Sequence, residues 1–120
     1  MPFSAVLDNL LARNDRAAGA LFLDAGGETV GYSCAAITPY ELRVLGAYLG
    51  IYLRQLDRLF TGYELGEPRL IHIAQQAAHI YAIPLPEGYC LALVQHQPGL
   101  FAQARASLAD AAGELRREIF

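Results

Sequence analysis

The chain has 120 residues, 54% of them hydrophobic with tyrosine counted, and a formal net charge of −3. That length fits one domain, expected to run 1–120, with a single core of two or three layers. Nine arginines, no lysine and no basic run disfavour nucleic acid as a partner, and the high apolar share points to a buried interface.

Met1-Pro2-Phe3-Ser4-Ala5-Val6-Leu7-Asp8 lacks a positive leading region, and Asp8 and Asn9 interrupt its apolar stretch, so it does not read as a signal peptide. Phe3, Val6, Leu7, Leu10 and Leu11 repeat at helical spacing and predict a short amphipathic helix over 4–14. Ala18-Gly-Ala-Leu-Phe-Leu-Asp24 is a continuous apolar run of strand length, expected to be covered on both faces. The glycines of Asp24-Ala25-Gly26-Gly27 make a hairpin turn. Residues 28–35 then alternate, with Val30, Tyr32 and Cys34 expected on one face of an edge strand.

The longest element is 38–62. Thr38 is placed to cap it while Glu41 reaches back to the N–H of Thr38, Pro39 suits the first turn, and Gly62 is expected to stop it in a left-handed conformation. At about 100° per residue, Leu42, Leu45, Leu49, Leu53, Leu56 and Phe60 form one stripe, with Tyr52 and Leu59 at its edge. The opposite side carries Tyr40, Val44, Ala47, Tyr48 and Ile51, flanked by Arg43, Arg54, Gln55 and Arg58. A helix apolar nearly all round is covered nearly all round. This chain is short for that task, so a second molecule is expected there. Gly46, Ala47 and Gly50 would leave it room.

Beyond a polar connection with Gly66 and Pro68, residues 69–75 and 79–85 read as two more strands, the second broken near Pro84. Pro86-Glu87-Gly88 is a turn. Residues 89–95, apolar from Cys90 to Val94, form a central strand. Pro98 and Gly99 introduce a last helix with Ala104, Leu108, Ala111, Leu115 and Ile119 on its apolar face. The sum is α+β: an α/β/α sandwich on a five-stranded antiparallel sheet with helices on both sides. The run 70–86 holds two histidines, two glutamines and two prolines and cannot span a membrane comfortably.

No residue pattern carries chemistry. His72 and His79 would face each other if their turn centres between Gln75 and Gln76, but no cysteine or carboxylate completes a metal site. Gly26-Gly27 precedes a strand, not the helix that phosphate binding requires. Ser4, Ser33 and Ser107 lack a nucleophile elbow. Cys34 and Cys90 could pair, but their apolar settings favour two inert thiols in a reducing cytoplasm. The expectation is a chain with no catalytic residue, metal or cofactor that works by contact. Arginines beside Tyr, Val and Ile are the mixture enriched at protein interfaces.

The order of these features resembles the Roadblock/dynein light chain family, and within it the small prokaryotic regulators of Ras-like GTPases. The opening helix, Gly19-Ala-Leu-Phe-Leu-Asp24 with its glycine turn, the long capped helix, Ile71-His-Ile, Pro84-Leu-Pro-Glu-Gly-Tyr-Cys-Leu-Ala-Leu-Val94 and Ala102-Gln-Ala-Arg-Ala-Ser-Leu108 carry it. The resemblance implies a sheet ordered 2-1-5-4-3, the long helix on one face and both terminal helices on the other. It implies a homodimer pairing third strands, here Leu70, Ile71, His72 and Ile73, with paired second helices as a platform for a Ras-like small GTPase. Some members stimulate GTP hydrolysis by reshaping the GTPase. A dimeric adaptor with no GTPase partner is the alternative within the same fold. A small-ligand sensor ranks last.

Overall fold

The two strands with unbroken apolar runs lie side by side, because neither can present a face to water. They are β1 (Ala17–Leu23) and β5 (Cys90–Gln95), paired antiparallel from Ala17 opposite Gln95 to Leu23 opposite Cys90. β2 (Thr29–Cys34) flanks β1, while β4 (His79–Pro84) and then β3 (Ile71–Ala74) continue beyond β5. The result is a five-stranded antiparallel sheet in the order β2-β1-β5-β4-β3. The computed structural model describes residues 3–96 and 101–120. Pro98 and Gly99, expected to introduce the last helix, lie outside the described residues.

Helices α1 (Ser4–Ala12) and α3 (Phe101–Ile119) cover one face of the sheet, and α2 (Pro39–Gly62) covers the other. On the first face Leu7, Leu10, Leu108 and Leu115 close over Phe22, Tyr81, Leu91 and Leu93. On the second, Leu42 and Leu49 close over Leu21, Leu23, Ala82 and Ala92. Strand alternation sends neighbouring residues of β1 and β5 into different cores, which is why 17–23 and 90–94 carry no polar side chain. A surface ion pair, Arg13 with Asp110, and a buried polar network join the terminal helices. Buried Asn14 Nδ2 donates to Leu10 O and to Ser107 Oγ, both at 2.8 Å, and Ser107 Oγ donates to Gln103 O at 2.7 Å.

Four local expectations need correcting. Val30 does not share a face with Tyr32 and Cys34. The register jumps from Phe22–Gly31 to Leu23–Thr29, leaving Val30 as the extra residue of a β-bulge. Val30 therefore packs into the core under α1 and α3, while Cys34 packs under α2. At the start of α2, Thr38 Oγ1 accepts from Glu41 N–H at 3.1 Å. The Glu41 carboxylate, however, accepts from the Thr38 hydroxyl at 2.8 Å rather than from its N–H.

At the other end Gly62 is an ordinary helical residue. The cap is Tyr63, and the left-handed positions come later, at Glu64 (φ 54°) and Gly66 (φ 82°). Finally, Gly46 and Gly50 face the chain's own sheet instead of a second molecule. A Cβ on Gly46 would lie 2.9 Å from Leu23 Cδ2, and one on Gly50 2.8 Å from Gly27 Cα. They are small so that α2 can lie close on β1 and on the β1–β2 turn.

That turn is itself well built. Asp24 Oδ1 accepts from the N–H groups of Gly26 and Glu28, both at 2.9 Å, and Gly27 takes φ 81°, a conformation suited to glycine.

Candidate protein-interaction site

The inner stripe of α2 is anchored by Leu42, Gly46, Leu49 and Gly50, all buried, with Leu45 and Leu53 half-buried against the same core. The outer side is bare. Tyr40, Val44, Ala47, Tyr48 and Ile51 are all exposed, Tyr48 at 60% and Ile51 at 42%. Tyr52 and Leu59, expected at the rim of the core stripe, are exposed at 53% and 51%. The helical wheel hints at this, since both lie farther from the stripe centre than Leu45 or Leu53.

The two flanks of α2 differ. Gly50 and Arg54 turn toward the β1–β2 hairpin, where Arg54 Nη1 donates to Ala25 O at 3.3 Å. Arg43 lies on the same flank, its guanidinium carbon 5.3 Å from the centre of the Tyr32 ring, within cation–π range. By helical phase Tyr48, Tyr52 and Leu59 occupy the other flank, and all three are exposed. Arg58 and Gln55 are exposed. The apolar contact residues read from the sequence therefore share one open surface with Tyr52 and Leu59. Arg43 and Arg54, by contrast, already hold contacts within their own chain.

β3 is the outermost strand and pairs with β4 only. Its ladder runs from Ile71 to Ala74, so Leu70 precedes it and the strand is shorter than the expected 69–75. The turn into β4 is closed by Gln75 N–H donating to Ala78 O at 2.8 Å, and it centres one residue later than the symmetric His72–His79 pairing requires. His72 therefore sits opposite Tyr81 and His79 opposite Ala74, yet both rings remain on one face because partners shift in steps of two. They meet diagonally, His72 Nε2 to His79 Nδ1 at 2.8 Å, and the His72 ring stacks on Tyr81 with centroids 4.4 Å apart. Partial desolvation, and then the neighbouring charge of His79, hold His72 below the usual histidine range. His96 bonds elsewhere, its Nε2 3.0 Å from Ala36 O.

Among the described residues no three His, Cys, Asp or Glu side chains are grouped to hold a metal ion. Both cysteines are free thiols. Burial pushes Cys90 up to about 12 and raises Cys34 as well, so neither is an activated nucleophile. No helix among the described residues is long and apolar enough to cross a membrane.

A five-stranded antiparallel sheet ordered 2-1-5-4-3, with one long helix on one face and the terminal helices on the other, defines the Roadblock/LC7 fold, and this chain has it. The Roadblock/LC7 domain of Streptomyces avermitilis matches with a TM-score of 0.83 at 16% identity, covering 97% of this chain and 96% of that one. MglB of Myxococcus xanthus matches at 0.88 with 14% identity, over 98% and 94%. An MglB in a tetrameric arrangement matches at 0.82 with 22% identity, over 94% and 84%. No protein-family model matches the sequence. No curated protein matches it either. The likeness is one of architecture.

Proposed function

We propose that this chain is a homodimeric, cytoplasmic regulator or scaffold that binds a Ras-like small GTPase through its second helices. The observation that carries this reading is the bare apolar side of α2, where Val44, Tyr48, Ile51, Tyr52 and Leu59 stand exposed together. Scattered apolar residues on a surface signify little, but five on one helix form a patch of the kind that interfaces use. The open edge at β3 supports self-association, since an unpaired strand edge is a template for a second strand. Leu70, Ile71, His72 and Ile73 would meet the same residues of a second copy, an isologous contact that closes. The sheets would join, and the apolar flanks of the two α2 helices would cover each other.

The platform left on the joined helices, with Tyr40, Val44, Ala47, Ile51 and the outer Gln55 and Arg58, receives the GTPase. Arg43 and Arg54 border it. A scaffold of this type acts by holding or reshaping the GTPase, with no nucleophile, metal or cofactor of its own. Stimulation of GTP hydrolysis belongs to the same reading.

Ile51→Arg tests it. Light scattering should show loss of the dimer, or a pull-down loss of a Ras-like GTPase from the same genome, with the circular dichroism spectrum unchanged. Unchanged mass together with unchanged binding overturns the proposal. Loading the GTPase with GTP and then GDP separates the two roles: a regulator prefers one state, whereas an adaptor is indifferent.

A further inference from the structure

A second surface, separate from α2, carries unbalanced charge. Between α3 and the β3–β4 side of the sheet lies a cleft of about 650 Å3. On α3, Arg105, Ala109, Ala112 and Arg116 line it, at i, i+4, i+7 and i+11, so one stripe of the helix forms the wall. Across from them stand Arg69, Leu70, Ile83 and Pro84. Three of the chain's nine cations thus open on one cleft with a single carboxylate, Glu67, in a molecule of net charge −3. None of the three makes an ion pair among the described residues, where the pair found is Arg13 with Asp110 at 3.0 Å.

The spacing selects the occupant. Eleven residues at about 1.5 Å each put the backbone sites of Arg105 and Arg116 about 17 Å apart. An extended peptide rising about 3.3 Å per residue covers that span with about five residues. Between the two arginines the wall is alanine, too short to obstruct a backbone, and Ile83 supplies apolar surface opposite. A compact phosphate would engage one end and leave the rest unused, while a bilayer cannot enter a concave cleft.

We infer that this cleft binds an extended acidic peptide segment of another protein, its carboxylates meeting Arg105 and Arg116 and a small apolar centre lying between them. Guanidinium groups suit the task because they grip carboxylates in a two-point, planar fashion. The site lies on the face opposite α2, so it adds a partner without competing for the platform there.

The test is fluorescence anisotropy with a labelled decapeptide of glutamates flanking a Leu-Ala-Leu centre, set beside the same peptide with lysines in place of glutamates. The acidic peptide should bind, weaken as salt rises, and lose at least about tenfold in affinity in the double variant R105E/R116E. The basic peptide should not bind. Both arginines are exposed, and an unchanged circular dichroism spectrum checks that the variant folds. Ile51→Arg should leave peptide affinity untouched, which separates this site from the α2 platform. No binding of the acidic peptide, or equal binding by wild type and R105E/R116E, overturns the inference. Capture by anionic phospholipid vesicles or by inorganic phosphate in place of the peptide overturns it too.

Discussion

Gly50 of α2 and Gly27 of the β1–β2 turn touch backbone to backbone: a Cβ on Gly50 would lie 2.8 Å from Gly27 Cα. Neither side can yield by rotating a side chain, because none is present. Gly46, one helical turn earlier, meets the movable end of Leu23 at 2.9 Å instead. The two glycines therefore respond differently to the same substitution. Alanine gains about 1 kcal/mol of helix propensity at either site. At Gly46 that gain offsets a small shift of Leu23, and the change should be near neutral. At Gly50 overpacking of about 1–3 kcal/mol outweighs it. Urea unfolding of Gly46→Ala and Gly50→Ala should show only the second losing stability.

Gly62→Ala should stabilise the fold, by up to about 1 kcal/mol and less if the helix end frays. A Cβ there meets nothing within 4 Å, and Gly62 is not among the positive-φ glycines. A left-handed stop at this position would make the same change costly. A fall in the urea midpoint would therefore mean that Gly62 is left-handed after all. The contrasting substitution is Gly66→Ala, at φ 82°, which should destabilise.

Ser107→Ala removes the oxygen to which buried Asn14 Nδ2 donates at 2.8 Å, leaving Leu10 O as its remaining acceptor. Asn14 Oδ1 already lacks a partner among the described residues. A further unmet polar group at a buried site costs about 1–3 kcal/mol. The loss should appear as a lower thermal midpoint and faster amide exchange where α1 ends and α3 crosses it. Asn14→Ala combined with Ser107→Ala should cost less than the two single losses added, since the pair shares one network.

His72 should titrate below its ordinary value of 6.5 in an NMR pH series, through desolvation first and the charge of His79 second. Because the folded value is the lower one, the unfolded chain takes up the proton sooner as pH falls through 6.5. Stability at this site is therefore complete above that pH and is lost between it and the lower folded value. His79→Gln removes the second cause and should move His72 upward, though not fully back. An unmoved resonance would show that His79 exerts no charge effect.

The central strands were legible because burial on both faces leaves no room for a polar residue, and Ala18–Leu23 and Cys90–Val94 carry none. The cap at Thr38 was legible for the same reason of locality, since donor and acceptor lie three residues apart. What escaped depends on contacts distant in sequence. The bulge at Val30 is set by where β1 ends against β2, and no two-residue alternation within 28–35 reveals it. The small residues of α2 stand out in the sequence, but only Gly27 and Leu23, 23 positions before Gly50 and Gly46 in each case, determine which way they face. In the candidate site the outward residues Tyr40, Val44, Ala47, Tyr48 and Ile51 follow from helical phase alone. The tie of Arg54 to Ala25 and the exposure of Leu59 do not.

The antiparallel pairing of β1 with β5 has a consequence for how the molecule forms. Leu23 and Cys90 lie opposite each other but about 70 residues apart along the chain, and closing so long a loop carries an entropic cost before any contact repays it. On the ribosome, β1 would emerge early and pair with β2, but its other edge would wait for most of the chain to be synthesised before β5 arrived. The first half of the chain is thus a natural client for a holding chaperone, and truncation before Cys90 should yield aggregates rather than a smaller folded unit.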